Sequence, residues 1–200
     1  MMIPAWWRWY VPPATFASAL LFFHASEFLL ARHFNPDLLS ARSALVSRPY
    51  VLAMLCGLAE YAMGLWWLGP ERKAASGAAV ASYAAGVLLV AGGEALRKAA
   101  ICGAGRAFTH DIQRERRVDQ VCTRGVYAVV RHPGYLGWML WAVGTMVLLA
   151  NPVSAAAFFF AARRFFAARI PHEEALLRAM YGEAYAAYAR RTPTWMPGIP

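Results

Sequence analysis

The sequence predicts an all-α integral membrane protein, and three observations support this fold class. Of its 200 residues, 60% are hydrophobic and only 16% are charged, whereas about 25% are charged in ordinary soluble domains. Three apolar stretches approach the roughly 20 residues that a membrane-crossing helix needs. The chain is nevertheless basic, with 20 Lys and Arg against 11 Asp and Glu. An apolar yet basic chain is typical of membrane proteins whose cytosolic loops collect positive charge.

Composition excludes several other classes. Disordered chains are poor in apolar residues, and a hydrophobic share this large exceeds what one small soluble core can bury. A soluble nucleic-acid-binding protein is therefore not expected, despite the net charge of +9. The three cysteines are odd in number and form no CxxC pair, so we expect neither a disulfide framework nor a metal site.

The predicted spans follow in chain order. The first ends at a charged, proline-containing stretch, and the second ends at GPERK. The third is rich in Ala, Gly and Val, and small residues of this kind let two membrane helices approach closely. The three spans are residues 14–31, 50–68 and 74–95.

Two shorter apolar runs, residues 135–150 and 153–162, flank the turn pair Asn151-Pro152. This pattern predicts a helical hairpin over residues 133–168 that dips into or across the bilayer. The fold would then have about five membrane segments, three spans plus a C-terminal hairpin. We expect one domain over the whole chain, with transmembrane helices in residues 14–100 and a cytosolic region in residues 101–200 that includes the hairpin.

Basic residues are distributed unevenly in this topology. One side of the membrane holds 17 of them, with three in residues 32–48, eight in 97–131 and six in 163–191. The other side holds Arg8, Arg72 and Lys73. The positive-inside rule therefore predicts that the N-terminus is outside and the C-terminus is cytosolic.

Ionisable side chains inside membrane segments cost free energy and often carry function. For His24, Glu27 and Glu60 we favour polar contacts between helices. Glu94 can reach Arg97 and Lys98, three and four residues further along the same helix. For Arg97 two interpretations stay open, a side chain that extends to the interface and a buried guanidinium that binds an anion.

The stretch RHPGYLGW, residues 131–138, combines features of a ligand site. Pro133 suits the first turn of a helix, where free N–H groups favour anions. Gly134 allows close backbone approach, and Tyr135 can stack on a ring or a cation. A cofactor with a carboxylate, an adenine and a positive sulfur would fit, although a simple helix cap with an interfacial aromatic has the same pattern.

Seven stretches of the chain together resemble the isoprenylcysteine carboxyl methyltransferases, membrane enzymes that methylate prenylated CaaX proteins. The RHPxYxG pattern alone also occurs in phospholipid methyltransferases and sterol reductases, but the whole series is more specific. The stretches are FFHASEFL (22–29), GEALRKAA (93–100), FTHDIQRE (108–115), TRGVYAVVRHPGYLGWMLWAVGT (123–145), NP (151–152), RRFFAARIPHEE (163–174) and YGEAYAAYARRTPTWMP (181–197).

The resemblance implies an activity and a site. The activity is S-adenosylmethionine-dependent methyl esterification of the α-carboxylate of a C-terminal prenylcysteine, at the cytosolic face of the endoplasmic reticulum membrane. Partners would be CaaX proteins with a farnesyl or geranylgeranyl cysteine, together with the lipid bilayer. By position, Arg97 and Arg169 are the expected catalytic residues that hold the carboxylate. The residues expected to bind S-adenosylmethionine are Gln113, Asp119, Gln120, Val121, Cys122, Tyr127, His132, Pro133, Gly134, Tyr135 and Glu173.

The chain departs from the animal pattern in two places. Between Gln113 and Gly125 it is one residue shorter and has DQVC in place of an HTLV-like run. It also starts near the third membrane helix of the animal members, so their first two helices are expected to be missing.

Other functions remain open on sequence grounds. A phospholipid or other small-lipid methyltransferase would need an amine acceptor, which favours acidic or aromatic side chains near the donor rather than two arginines. A membrane reductase would use a nicotinamide cofactor. A non-enzymatic scaffold or channel is a third alternative, although the polar residues gather at one end of the predicted bundle.

Overall fold

A computed structural model of the protein describes residues 5–200; the side chains of residues 5, 6, 8 and 9, including Arg8, lie outside that description. Over the described range the regular structure is helical, without strands, which confirms the predicted all-α class. Four short 3-10 helices lie in the connections. The α-helices are α1 (Ala5–Phe34), α2 (Arg48–Ala74), α3 (Gly77–Ala104), α4 (Pro133–Leu148), α5 (Pro152–Tyr181) and α6 (Glu183–Arg191).

Three helical stretches of the described chain are long and apolar enough to cross a bilayer: Tyr10–Phe34, Ala41–Ala74 and Gly77–Ala107. The first two contain the predicted spans and extend them, whereas the third begins at Gly77 instead of residue 74 and continues beyond residue 95. α2 bends at Gly69, whose φ of 74° and following proline end the regular helix where the sequence predicted. Large apolar side chains on the outer faces of these helices, such as Leu21 and Leu88, are exposed, as expected where a helix faces lipid.

α3 and α4 pack most extensively against each other. Gly93 of α3 faces Gly137 of α4, and Gly86 of α3 faces Gly144 of α4. The two glycines of each helix are about two helical turns apart. A Cβ added to Gly93 would lie 2.5 Å from the backbone nitrogen of Trp141. Because the backbones are in direct contact, only glycine fits at these positions. This interface fixes the start of α4, and with it the RHPGY segment, against the end of α3.

The predicted hairpin is present as α4 and α5, joined through Asn151. Its second arm is longer than expected, because α5 continues without interruption to Tyr181 instead of ending near residue 168. The second half of α5 is polar and so has no apolar run, but it buries Ile170 and Glu174 against the rest of the protein. This packing stabilises a helix that hydrophobicity alone does not predict.

Two charged side chains of α2 bind the tip of the hairpin. The buried Lys73 Nζ donates to the carbonyl of Ala150 at 2.6 Å and to Asn151 Oδ1 at 2.8 Å. The Glu60 carboxylate accepts hydrogen bonds from the first backbone N–H groups of α5 at 3.0 and 2.7 Å, which caps the helix. Glu60 therefore makes the predicted polar contact between helices, and the hairpin tip lies beside the connection between α2 and α3.

Candidate active site

A cleft opens beside the N-terminus of α4, where the C-terminal part of the chain returns to the membrane helices. It encloses about 1030 Å³, a volume that includes its open mouth. Its walls are the loop after α3, the segment from Tyr127 to Tyr135, the second half of α5, and α6. Four separate parts of the sequence therefore meet around one space.

Ten of the eleven residues predicted to bind the cofactor line this cleft, and Asp119 does not. Neither Arg97 nor Arg169 is part of the lining. The structure thus brings the predicted set together around one cavity, while the individual binding roles stay predictions. The lining members are Gln113, Gln120, Val121, Cys122, Tyr127, His132, Pro133, Gly134, Tyr135 and Glu173.

The RHPGY segment forms the inner wall of the cleft. α4 begins at Pro133, with His132 at the preceding N-cap position. The rings of His132 and Tyr135 stack with centroids 5.5 Å apart and an angle of 9° between their planes. A Cβ added to Gly134 would meet the ring of Phe108 at 2.8 Å. Gly134 therefore lets Phe108 close the cleft on the side of α3.

The two adjacent glutamates of α5 make different contacts. Glu173 lines the cleft and accepts a hydrogen bond from the Tyr135 hydroxyl at 2.6 Å. Glu174 is buried, with one carboxylate oxygen 3.0 Å from His132 Nε2 and 2.8 Å from Arg131 Nε. Its other oxygen accepts from Arg178 at 2.9 Å. Glu174 thus ties α5 to the RHP motif and leaves Glu173 facing the cavity.

Burial of Glu174 disfavours its charged form, but the hydrogen bond from His132 and the nearby Arg131 and Arg178 outweigh this and hold the pKa of its carboxyl below the usual value. A folded pKa below the unfolded value of about 4.3 contributes stability that is complete above that value. The contribution is lost as the pH falls through the folded pKa.

We expect Glu174→Gln to lower the free energy of unfolding at neutral pH by about 1–3 kcal/mol, as for loss of hydrogen bonds to a charged group. The deficit relative to the wild type should shrink as the pH falls below about 4. Thermal unfolding of the wild type and of Glu174→Gln in detergent, from neutral pH to below about 4, measures this deficit. A deficit that grows in acid would contradict the assignment of Glu174 as a stabilising carboxylate.

A second cluster of charges lies behind the inner wall. Glu27 of α1 is fully buried and accepts two hydrogen bonds from Arg97, each 2.8 Å long. Lys98 Nζ lies 2.7 Å from one carboxylate oxygen, and His110 Nε2 lies 2.8 Å from the other. Glu27 therefore makes the predicted polar contact between helices, and it does so as the centre of three nitrogen-bearing side chains.

Arg97 itself is buried inside the protein rather than extended to the interface. Its Nη1 donates to the carbonyl of Gly134 at 2.9 Å, so the guanidinium lies directly behind the cleft wall. Guanidinium carries five N–H donors, and the contacts with Glu27 and Gly134 use three of them. Glu94 pairs with Lys98 at 3.1 Å, as their i,i+4 spacing predicts. Arg97 forms its ion pair with Glu27 instead of Glu94.

Arg169 reaches the same wall from α5. Its Nε donates to the Tyr135 hydroxyl at 2.8 Å, and its Nη2 donates to the carbonyl of His110 at 2.6 Å. Both predicted catalytic arginines therefore contact residues that form the inner side of the cleft or lie next to it. They approach from opposite elements, α3 and α5.

Sequence reasoning missed several residues of this region. Phe108 and His110 lie in an irregular loop that gives no periodic signal. Tyr181, Tyr185 and Tyr188 also line the cleft. Tyr185 and Tyr188 are three residues apart on α6, a spacing that puts side chains on one helix face and was an available signal. Burial raises the pKa of Tyr185, so its hydroxyl stays protonated, and it has no hydrogen-bond partner among the described residues.

Comparison with known proteins gives one consistent result. The sequence profile of the isoprenylcysteine carboxyl methyltransferase (ICMT) family matches residues 86–179. Protein-S-isoprenylcysteine O-methyltransferase B of Arabidopsis thaliana is 39% identical over 192 residues, covering 90% of each chain. The chain belongs to the isoprenylcysteine carboxyl methyltransferase family. The resemblance in sequence is thereby confirmed, and the chain is an enzyme of this class.

More distant members agree with this assignment. The Homo sapiens protein-S-isoprenylcysteine O-methyltransferase is 39% identical over 185 residues, covering 90% of this chain and 63% of the human one. The solved eukaryotic intramembrane Ras methyltransferase ICMT superposes with a TM-score of 0.85 at 33% identity. That superposition covers 94% of this chain and 67% of the solved one. The segment matched by the family profile contains both arginines and all eleven residues predicted for the cofactor.

Proposed function

We propose that this family member transfers the methyl group of S-adenosylmethionine to the α-carboxylate of a C-terminal prenylcysteine on CaaX proteins. The observation that carries the proposal is the position of two arginines, Arg97 and Arg169, directly behind the wall of the cleft that the predicted cofactor residues line. A carboxylate held there is recognised by the planar, permanently charged guanidinium groups that bind it best.

The chemistry of the cleft lining suits S-adenosylmethionine. The stacked rings of His132 and Tyr135 offer aromatic surface to an adenine or a sulfonium. Glu173 offers a carboxylate oxygen to a ligand ammonium or hydroxyl. The buried Tyr185 hydroxyl lacks a partner among the described residues, and such a group needs a ligand or water. These residues would hold the cofactor.

The chain's own task in the reaction is positioning. When bound, S-adenosylmethionine supplies an electrophilic methyl group that needs no metal. A cysteine α-carboxyl has an ordinary pKa of about 3.3–3.7 and is already ionised at neutral pH, so the site needs no general base. Arg97 and Arg169 orient the carboxylate, and Phe108 and Tyr135 exclude water. Orientation of two reactants can lower a barrier by roughly 7–11 kcal/mol.

A membrane-exposed groove between α1 and α3 suits the prenyl chain. It encloses about 1000 Å³ and is lined largely by apolar side chains such as Phe22, Val87 and Ala91. Its polar end is formed by Glu94 and Lys98, next to Arg97 in the sequence. A lipid chain in this groove would therefore place its polar end close to the arginine that we propose for the carboxylate.

The proposed topology has five membrane segments with a cytosolic C-terminus. The hairpin tip lies beside the α2–α3 connection, where Lys73 binds it, and the cleft opens at the opposite end of α4. Most basic residues belong to the cleft side, which favours a cytosolic position. The active site would thus face the cytosol, at the endoplasmic reticulum membrane where we place this enzyme.

The decisive experiment is methyl transfer from labelled S-adenosylmethionine to N-acetyl-S-farnesylcysteine and, in parallel, to the corresponding amide. We expect a base-labile methyl ester with the acid and no product with the amide. Methylation of the amide would contradict carboxylate chemistry. Methylation of an amine phospholipid in place of the acid would support the small-lipid methyltransferase instead.

We expect His132→Ala to weaken S-adenosylmethionine binding about threefold to tenfold, the loss typical of one aromatic contact. Calorimetry on the purified protein measures the dissociation constant. His172→Ala is a matched control, because His172 is exposed on α5 and should bind the cofactor as the wild type does. Unchanged affinity in a folded His132→Ala protein would remove His132 from the binding site.

A further inference from the structure

The loop after α3 passes between the two arginines as a short segment, Phe108 to His110, here named the 108–110 strap. Three contacts hold it. Asn35 Nδ2 donates to the carbonyl of Phe108 at 2.8 Å, the His110 ring meets Glu27 at 2.8 Å, and Arg169 donates to the carbonyl of His110 at 2.6 Å. The strap is therefore bound to α1 and α5 at the same time.

His110 connects the two arginines through different atoms. Its Nε2 binds the same Glu27 oxygen that accepts from Arg97 Nη2, and its backbone carbonyl accepts from Arg169 Nη2. A continuous series of hydrogen bonds thus runs from Arg97 through Glu27 and His110 to Arg169. His110 itself is not part of the cleft lining, so it acts on a ligand only through other side chains.

We propose that His110 is a positioning residue that holds Arg97 and Arg169 at the separation needed to bind one carboxylate. This inference rests on the proposed function, because it assigns a purpose to the pair of arginines. Two guanidinium groups on separate helices bind one small anion well only if their positions are fixed beforehand, since ordering them on binding costs affinity. The 108–110 strap fixes the positions of the two guanidinium groups.

We expect the protein to fold without the His110 ring. Glu27 keeps the two hydrogen bonds from Arg97 and the ion pair with Lys98, so its buried charge remains compensated. What His110→Ala removes is the link between the strap and the Glu27 cluster. The carbonyl of residue 110 is then free to shift, and Arg169 shifts with it.

The test measures how strongly the purified protein prefers a carboxylate. Binding of N-acetyl-S-farnesylcysteine and of its amide is compared by competition with a labelled farnesyl ligand. The wild type should prefer the acid, and His110→Ala should reduce the acid-to-amide affinity ratio about tenfold, the size of one hydrogen bond to a charged group. Affinity for the amide and for S-adenosylhomocysteine should stay unchanged. A purely structural role would weaken acid and amide alike.

Three further variants keep the result interpretable. His110→Gln retains a donor at similar reach and should restore the wild-type ratio, whereas His110→Asn keeps the polarity but falls short of Glu27 and should lower the ratio as alanine does. His33→Ala changes an exposed histidine at the end of α1 and should have no effect. If His110→Ala fails to fold, His110→Asn decides the question.

The outcomes separate the two proposals. A wild-type protein without preference for the acid removes the proposed function, and the role of His110 with it. A wild type that prefers the acid, together with His110 variants that keep the full preference, overturns the positioning role and leaves the proposed function standing.

Discussion

Gly93→Ala is expected to destabilise the protein by about 3 kcal/mol, the upper end of the usual cost of overpacking. The added Cβ would lie 2.5 Å from the backbone nitrogen of Trp141 and 2.6 Å from the carbonyl oxygen of Gly137. Both are backbone atoms of α4, which cannot rotate away as a side chain can. α4 must therefore move away from α3, and the start of α4 carries the inner wall of the cleft with it.

The neighbouring glycine supplies the control. A Cβ added to Gly92 meets nothing within 4 Å, so Gly92→Ala should leave stability unchanged or raise it slightly, since alanine favours the helix. Thermal unfolding in detergent, with gel filtration to follow aggregation, compares the two variants. Equal stability of both proteins would show that α3 and α4 are not in backbone contact.

Arg97→Ala is expected to reduce kcat/KM for a prenylcysteine acid about 100-fold, because the two hydrogen bonds that its remaining N–H donors can make to a charged group are lost. It should also lower the free energy of unfolding by about 3 kcal/mol, the low end of the cost of breaking a buried ion pair, because Lys98 and His110 still contact the remaining carboxylate. The carboxylate left behind is that of Glu27. Activity must therefore be measured on protein shown to be folded.

Arg97→Lys tests the role of Arg97 in substrate binding separately from its contribution to stability. Lysine keeps the positive charge beside Glu27 but cannot make the two parallel hydrogen bonds of a guanidinium. We expect a folded protein with reduced kcat/KM and nearly normal cofactor affinity. Arg164→Ala, at an exposed position of α5, is the control for loss of a basic residue. A folded Arg97→Ala protein with wild-type kcat/KM would overturn the substrate role of Arg97.

Much of the fold was predictable because membrane helices carry their signal locally. The three long apolar stretches and the Asn151-Pro152 turn predict α1 to α3 and the hairpin. The extent of α5 was not predictable in this way. Its second half is stabilised by contacts of Ile170 and Glu174 with distant parts of the chain, and a hydrophobicity pattern contains no information about such contacts.

In the candidate site, too, contacts within one helix were predictable from the sequence and contacts between distant parts of the chain were not. The pairing of Glu94 with Lys98 follows from helical spacing and was expected. The partners of Glu27 lie 70 to 83 residues further along the chain, so no local pattern predicts them. Phe108, Tyr185 and Tyr188 reach the cleft only through tertiary packing. Resemblance to a family supplied the residues that we predict to bind the cofactor, while the charge cluster behind them required the structure.

The length of α5 has a consequence for the setting in which the enzyme works. Its 30 residues extend about 45 Å, and the part from the hairpin tip through the exposed Phe160 to Glu173 at the cleft extends about 33 Å. Helices adjust their tilt when the hydrocarbon thickness of a bilayer changes. A helix anchored at its tip by α2 would transmit such a tilt to its far end. We therefore expect the distance between Glu173 and Tyr135, and with it the activity, to vary with the acyl-chain length of the surrounding lipid.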